Sequence, residues 1–198
     1  FLCCGPNLQC RRWELDELMR KHSDEKLMMK LCDASLDGLS DRILKPSYNR
    51  SKLSPGIVHI GLGNFHRAHQ AWYLHQLMQQ GLALDWAIVG AGVRPYDEDQ
   101  RLKLAAQDYM TTLIELSPQG RSAEVIGSMI DYVPIEPGNA QLIEQMAQPK
   151  IRIVSLTVTE GGYYIDPVTK RFDAANPDIL FDAKNTKNPK TAFGAIVA

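Results

Sequence analysis

An open, mainly parallel α/β sheet is the fold this sequence predicts, and three observations predict it. Short apolar runs at residues 57–60, 86–91 and 151–158 have the length and composition of buried parallel strands. Amphipathic stretches at 68–80 and 97–107 separate them at helical spacing. The first run ends in Gly61 and Gly63, at the point where a strand turns into a helix.

The elements follow in order. Residues 11–31 can form a helix, but Trp13, Leu15, Leu18, Met19, Leu27 and Met28 leave no apolar stripe through every turn. Residues 32–55 are loop-like, with DG and SP pairs and Pro46, so the main domain begins at Gly56. After the strand at 57–60, the helix at 68–80 turns Ala71, Trp72, Leu74, Leu77 and Met78 inward and stops at Gly81. The strand at 86–91 leads to a helix at 97–107 whose acidic first turn suits its positive end. Strands are expected at 109–116 and 123–129, and a helix at 137–147 with Leu142, Ile143 and Met146 facing the core. IRIVSLTV (151–158) reads as a strongly buried strand, and TEGGYY follows where a parallel strand meets a ligand crevice. Beyond the polar KNTKNPK, the small apolar run from Thr191 to Ala198 starts a helix without a stop signal, so the chain is expected to end inside an element.

Composition narrows the functional classes. A chain of 198 residues, 44% hydrophobic, can bury one sizeable core. Its 22 Lys and Arg nearly cancel 23 Asp and Glu, which leaves no broad positive field for nucleic acid or an anionic membrane. No stretch approaches the roughly 20 apolar residues of a bilayer span, and FLCCGPNLQC lacks the basic start of a secretory signal, so a cytoplasmic location is expected. Cys3, Cys4, Cys10 and Cys32 show no paired C-x2-C spacing and read as reduced, incidental thiols.

GIVHIGLGNFHRAHQ (56–70) carries the chemistry. Gly61 permits a tight exit from the strand, Gly63 lets backbone approach a pyrophosphate, and the following helix points N–H groups at that anion. A third small residue is expected at position 66, where His66 stands, so the G-x-G-x-x-G pattern is incomplete. Arg67 fits a phosphate contact or a surface ion pair. His66 and His69 share a spacing but lack a third local ligand, so no metal site is expected; packing suffices for His59 and His75. The second strand ends in VGAGV rather than in an acid. Asp97 can reach a ribose from the next turn, while Arg94 suits a 2′-phosphate or an aromatic face. On balance NAD is favoured, with NADP as the alternative.

GIVHIGLGNFHRAHQ, GAGVRPYDEDQ, AAQDYMTTL, VIGSMIDY and RIVSLTVTEGGYYID resemble, in this order, consecutive motifs of the mannitol 2-dehydrogenases of the polyol-specific long-chain dehydrogenase family. The resemblance covers residues 29–198, with Met29-Lys30-Leu31 similar to a native amino terminus. Residues 1–28 are then an extension, 29–55 a lead-in, and 56–198 a dinucleotide-binding domain that stops short of its end.

The resemblance implies a Rossmann-like domain followed by a mainly helical one, absent from this chain. It implies reversible hydride transfer between mannitol and fructose with NAD, or sometimes NADP; related members act on hexuronates or other polyols. It puts Gly61, Gly63, Asn64, Phe65, His66 and Arg67 around the cofactor and Asp97 near the adenosine ribose. Glu160 in TEGG either hydrogen-bonds cofactor or substrate or satisfies local backbone, and Tyr163 and Tyr164 either line the ligand or pack. The family's proton-transfer lysine, with its asparagine and histidine partners, is expected after Ala198. The chain therefore reads as the cofactor-binding portion of an NAD-dependent polyol dehydrogenase, inactive alone, its full enzyme taking a polyol or ketose; oligomeric state is open. Alternatives are a fructuronate or other polyol/uronate dehydrogenase and a nonenzymatic nucleotide-binding module.

Overall fold

A computed structural model describes residues 30–118 and 120–198. The helix expected at 11–31 falls almost wholly outside these residues, as do Cys3, Cys4, Cys10 and the proposed extension; Cys32 is a free, partly exposed thiol. The lead-in holds 3-10 turns at Asp33–Gly38 and Arg50–Lys52 and a two-residue strand, β1 (Ile43–Leu44).

Strand β2 (Pro55–Ile60) runs into helices α1 (Asn64–Ala68) and α2 (Gln70–Gln79), followed by β3 (Ala87–Ala91) and α3 (Asp97–Ala105). Strands β4 (Thr111–Ser117), β5 (Gly120–Ile126) and β6 (Met129–Tyr132) come next, then α4 (Ala140–Met146), β7 (Ile153–Leu156), α5 (Pro177–Lys184) and α6 (Ala192–Val197). Four strands form an all-parallel sheet in the order β6-β3-β2-β7. This is the Rossmann arrangement: the order reverses direction between β2 and β7, and a crevice opens at their carboxyl ends. A separate three-stranded sheet, β1-β5-β4, joins an antiparallel hairpin to the lead-in.

Side chains alternate across the parallel sheet, so it is covered on both faces. Ile57, Ile88 and Met129 pack against Ala71, Leu74 and Met78 of α2 and Leu104 of α3. Val58, Ile60 and Val89 pack against Leu142 of α4 and Ala192 and Ala195 of α6. Each fully buried aliphatic side chain of this kind contributes roughly 1.5–3 kcal/mol.

The structure revises four expectations. The helix at 68–80 is broken at His69 (φ −122°, ψ −82°), where α1 ends and α2 begins. Of its expected inward residues Leu77 is 42% exposed, and His75 is buried instead, because the buried stripe of α2 runs through Ala71, Leu74, His75 and Met78 at helical spacing and passes Leu77 by. The run expected as one strand at 123–129 is the end of β5 and the start of β6, parted at Gly127, where a Cβ would stand 2.9 Å from Arg50 Cδ. The run at 151–158 forms only β7, which pairs with β2 alone among the described residues and leaves Ile153 43% exposed. Its apolar composition suits a strand paired on both sides, whereas its outer side is unpaired among the described residues. Helix α5 lies in a stretch with no earlier assignment, while α6 occurs where expected, capped by Thr191 Oγ1 accepting from Gly194 N–H at 3.0 Å.

Two polar clamps bind the second sheet to the first. Glu124 of β5 accepts from Trp72 Nε1 at 2.7 Å and Gln76 Nε2 at 2.8 Å on α2, and His75 Nε2 lies 3.3 Å away without hydrogen-bond alignment. Arg50, nearly buried, donates to the carbonyls of Gly127 (3.0 Å), Asp108 (2.6 Å) and Met129 (2.9 Å) and pairs with Asp33 at 2.6 Å. Arg50→Ala leaves three inward carbonyls without their cationic donor, and we expect urea denaturation to show a loss of about 2–3 kcal/mol. Arg121→Ala, on an exposed strand end, serves as the unaffected control; equal midpoints for the two variants would contradict the clamp.

Candidate functional site

A cleft of about 430 Å³ lies at the carboxyl ends of β2, β3 and β7, lined by the Gly61–Gly63 turn, by Val93, Arg94 and Asp97, and by Thr157 to Thr159. The turn has two glycines for two reasons. Gly61 adopts φ +94°, and a Cβ there would lie 2.7 Å from the Thr157 carbonyl oxygen. Gly63 has an ordinary φ of −69° and nothing within 4 Å of its Cβ position, so it leaves open space instead of relieving a clash. Beyond it, the first turn of α1 presents the N–H groups of Asn64, Phe65 and His66, which have no acceptor within their own helix.

Asp97 opens α3 beside the same cleft. Its Oδ2 accepts from the N–H groups of Val93 and Arg94, both at 3.0 Å, which ties the acid to the loop after β3. A Cβ on Gly92 would stand 2.4 Å from Asp97 Cβ, so a glycine there is what admits this side chain. The sequence signal for this was present in GAGV, where the second glycine follows the strand.

The residues after the turn do not all face the cleft. His66 is buried beneath it, stacked on His59 of β2 with ring centres 3.6 Å apart and planes 16° apart. Phe65 is 67% exposed and stacks on His69 at 4.4 Å, while His69 Nδ1 contacts the Phe65 carbonyl at 2.8 Å. Arg67 donates to the Leu62 carbonyl at 2.7 Å and to Asn64 Oδ1, so its guanidinium staples the turn from behind; burial pushes its pKa down. Asn64 and Arg67 border a smaller hollow against β4. Gly61, Gly63 and Asp97 thus meet at the cleft, whereas Asn64, Phe65, His66 and Arg67 do not line it with their side chains. Glu160 lies in a 3-10 turn, Glu160–Tyr163, its side chain outside what the structure describes. Tyr164, in a left-handed conformation with φ 53°, lines the cleft, and burial raises its pKa.

Thr157, Lys103 and Lys190 are among the cleft residues that sequence reasoning missed. Thr157 hydrogen-bonds the Gly61 carbonyl at 2.8 Å, and Lys103 and Lys190 line the rim. Lys103 sits two helical turns from Asp97 and was legible in principle; Lys190 enters through the fold of the α5–α6 connection. Among the described residues no group of three or more His, Cys, Asp or Glu is arranged to hold a metal ion, and no helix is long and apolar enough to cross a membrane.

The model of the mannitol dehydrogenase Rossmann domain matches residues 55–198. The chain belongs to the mannitol dehydrogenase family. Within it, the mannitol 2-dehydrogenase of Cereibacter sphaeroides is 58% identical over 156 residues, 79% of this chain and 32% of that protein. The mannitol 2-dehydrogenase of Aspergillus niger is 43% identical over 177 residues, 86% of this chain and 36% of that protein. Among solved structures, Pseudomonas fluorescens mannitol 2-dehydrogenase in ternary complex with NAD and D-mannitol superposes with TM-score 0.78 at 45% identity, over 85% of this chain and 34% of that one. A substrate-free D-sorbitol dehydrogenase superposes with TM-score 0.77 at 37% identity, over 85% of this chain and 35% of that one. The chain spans about a third of the length of the curated family members it matches.

Two predictions follow from the geometry of this family member's turn. Gly61→Ala must strain the backbone at positive φ as well as meet the Thr157 carbonyl, and a loss of at least about 1–3 kcal/mol in unfolding free energy is expected; wild-type stability would show that the turn relaxes freely. Burial holds His59 at about 4, and burial with the neighbouring His59 charge holds His66 at about 3, against an ordinary 6.5. Both bind protons more readily when unfolded, so their contribution is complete above pH 6.5 and is lost as pH falls toward these folded values. Each imidazole then costs up to about 1.4 kcal/mol per pH unit in that window. Denaturation at about pH 7.5 and about pH 5 measures this, and a level stability would mean that the rings take protons freely in the fold.

Proposed function

We propose that this chain is the NAD-binding portion of a mannitol 2-dehydrogenase, an oxidoreductase that converts D-mannitol and NAD to D-fructose and NADH. The observation that carries the reading is the Gly61–Gly63 turn at the reversal of strand order, with Asp97 facing the same cleft. The likeness to an enzyme solved with NAD and D-mannitol supports it.

In this reading the backbone at Gly63 and the first turn of α1 receive the pyrophosphate, with Gly61, Gly63, Asn64 and Phe65 contributing main chain rather than side chains. Asp97 meets the adenosine ribose through Oδ1, which takes no hydrogen bond among the described residues. A carboxylate in that place favours NAD over NADP, since it repels a 2′-phosphate. The apolar hollow beside the cleft, about 730 Å³ and walled by Pro95, Ile135 and Phe181, suits a flat base. His66 and Arg67 act from below and behind the turn. Glu160 is kept as a contact on the nicotinamide side, following its place after β7. NAD, when bound, would supply the hydride acceptor; the base that takes the hydroxyl proton is assigned to residues beyond Ala198, so this chain alone is expected to bind cofactor without turning over mannitol. A cytoplasmic setting belongs to the same reading, as do the boundaries 29–55 for the lead-in and 56–198 for the domain. The likeness to D-sorbitol dehydrogenase favours another polyol as the second reading, and a substrate panel on a chain with its catalytic lysine separates them.

The test is calorimetric titration with NAD and NADP. Gly63→Ala places a methyl in open space at an ordinary φ, so its unfolding transition should match the wild type while its NAD affinity falls by roughly tenfold or more. Unchanged affinity, or a clear preference for NADP, would count against the assignment.

A further inference from the structure

Beneath the cleft a chain of hydrogen bonds links α1, α2, β7 and β2, and its direction is fixed from one end. The Gly61 carbonyl can only accept, so Thr157 Oγ1 donates its single proton to it at 2.8 Å. Thr157 must then accept from His59 Nε2–H at 2.8 Å, which in a neutral ring leaves Nδ1 to accept from Ser155 Oγ–H at 2.8 Å. Ser155, its proton spent, accepts from Gln70 Nε2 at 3.4 Å, and Gln70 Oε1 accepts from His66 Nδ1–H at 3.1 Å. His66 Nε2 ends the chain as a buried lone pair without a partner among the described residues. With both imidazoles neutral, as their burial favours, every link has one consistent orientation and the two rings carry opposite tautomers.

We propose that Thr157 and His59 are positioning residues for the cofactor turn, holding the Gly61 carbonyl through this one-way chain and so keeping the Gly61–Gly63 backbone in the shape that receives a dinucleotide pyrophosphate. The proposal rests on the NAD-binding reading for its purpose, but not for its geometry. Thr157 is placed to do this because β7 pairs with β2 through His59↔Ser155 and Ile60↔Leu156, which brings the next residue of each strand side by side at the crevice. Burial of both rings, which favours their neutral forms, agrees with the proton count.

The test uses the 198-residue chain. Imidazole nitrogen NMR at neutral pH should find His59 protonated at Nε2 and His66 at Nδ1; the reverse tautomer on His59 would overturn the chain. Thr157→Val replaces the hydroxyl by a methyl, and Thr157→Ser keeps the hydroxyl while dropping the methyl. Thr157→Val should weaken NAD binding by roughly tenfold and move the Gly61 and Gly63 amide resonances, and Thr157→Ser should return both toward wild type. A Thr157→Val protein that binds NAD like the wild type overturns the positioning role. If the wild type binds no NAD yet the two amides still move with Val and return with Ser, the cofactor reading falls and the positioning role stands; if they do not move, the positioning role falls.

Discussion

The backbone at Gly61 joins three strands, and the crevice depends on that junction. Its N–H donates to the Ala91 carbonyl of β3 at 2.9 Å, and its carbonyl accepts from Thr157 beyond β7 at 2.8 Å. The α-carbon lies so close to Thr157 that no side chain fits. A residue tied on both sides cannot change its dihedrals without breaking a bond to one neighbour, and these neighbours are the two walls of the cleft. The left-handed φ is therefore set by sheet geometry, with glycine as the residue that meets it without strain. Leu62 adds a third anchor by burying its side chain over Gly90, where a Cβ would overlap it at 2.1 Å. With Gly61 and Leu62 both fixed, Gly63 is left as the open backbone position.

The hairpin sheet obeys a different logic. β4 and β5 lie outside the parallel sheet, and Ile114 and Leu116 on β4 are exposed, so apolar burial does not hold the whole hairpin down. Polar contacts at its inner end do much of that work. Glu124 gathers Trp72 and Gln76 from α2, and Arg50 reaches the carbonyls of Gly127 and Met129, at the transition from β5 to β6. Carbonyls turned inward at such a transition need donors. A guanidinium, with five N–H groups in a fixed fork, supplies several at once where an ammonium would not.

The sheet class, the order of its main elements and the place of the glycine turn were legible in the sequence, because apolar period and strand-to-helix turns are local signals. The family's motif order was legible for the same reason. What lay hidden depended on partners distant in sequence. His66 reads as a residue at a cofactor turn, yet its environment is set by His59, seven positions earlier, by Gln70 four positions on, and through Gln70 by Ser155, which the β2–β7 pairing brings near. IRIVSLTV has the composition of a strand paired on both sides, and among the described residues only its β2 side is paired. The break at His69 is invisible in a helical pattern, since the residues on either side are each acceptable in a helix.

The histidine at position 66 stands where a small residue would normally let the helix approach the first strand. Here the strand carries an imidazole facing that position, and the two rings lie parallel at 3.6 Å, the thickness of one aromatic layer. The space that a glycine would close is filled by a stacked pair, so the helix start keeps its contact with the strand through the two rings. This solution is not free: two polar rings lose water, and one nitrogen remains unpartnered, at a cost of about 1–3 kcal/mol relative to a satisfied group. An apolar pair of the same size would avoid that cost, but it would present no hydrogen to Thr157 and leave its oxygen without the His59 donor. The departure from the three-glycine pattern and the polar chain under the turn are thus one feature. The ring that replaces the glycine packs the helix, and the ring it stacks on holds the hydroxyl that holds the turn.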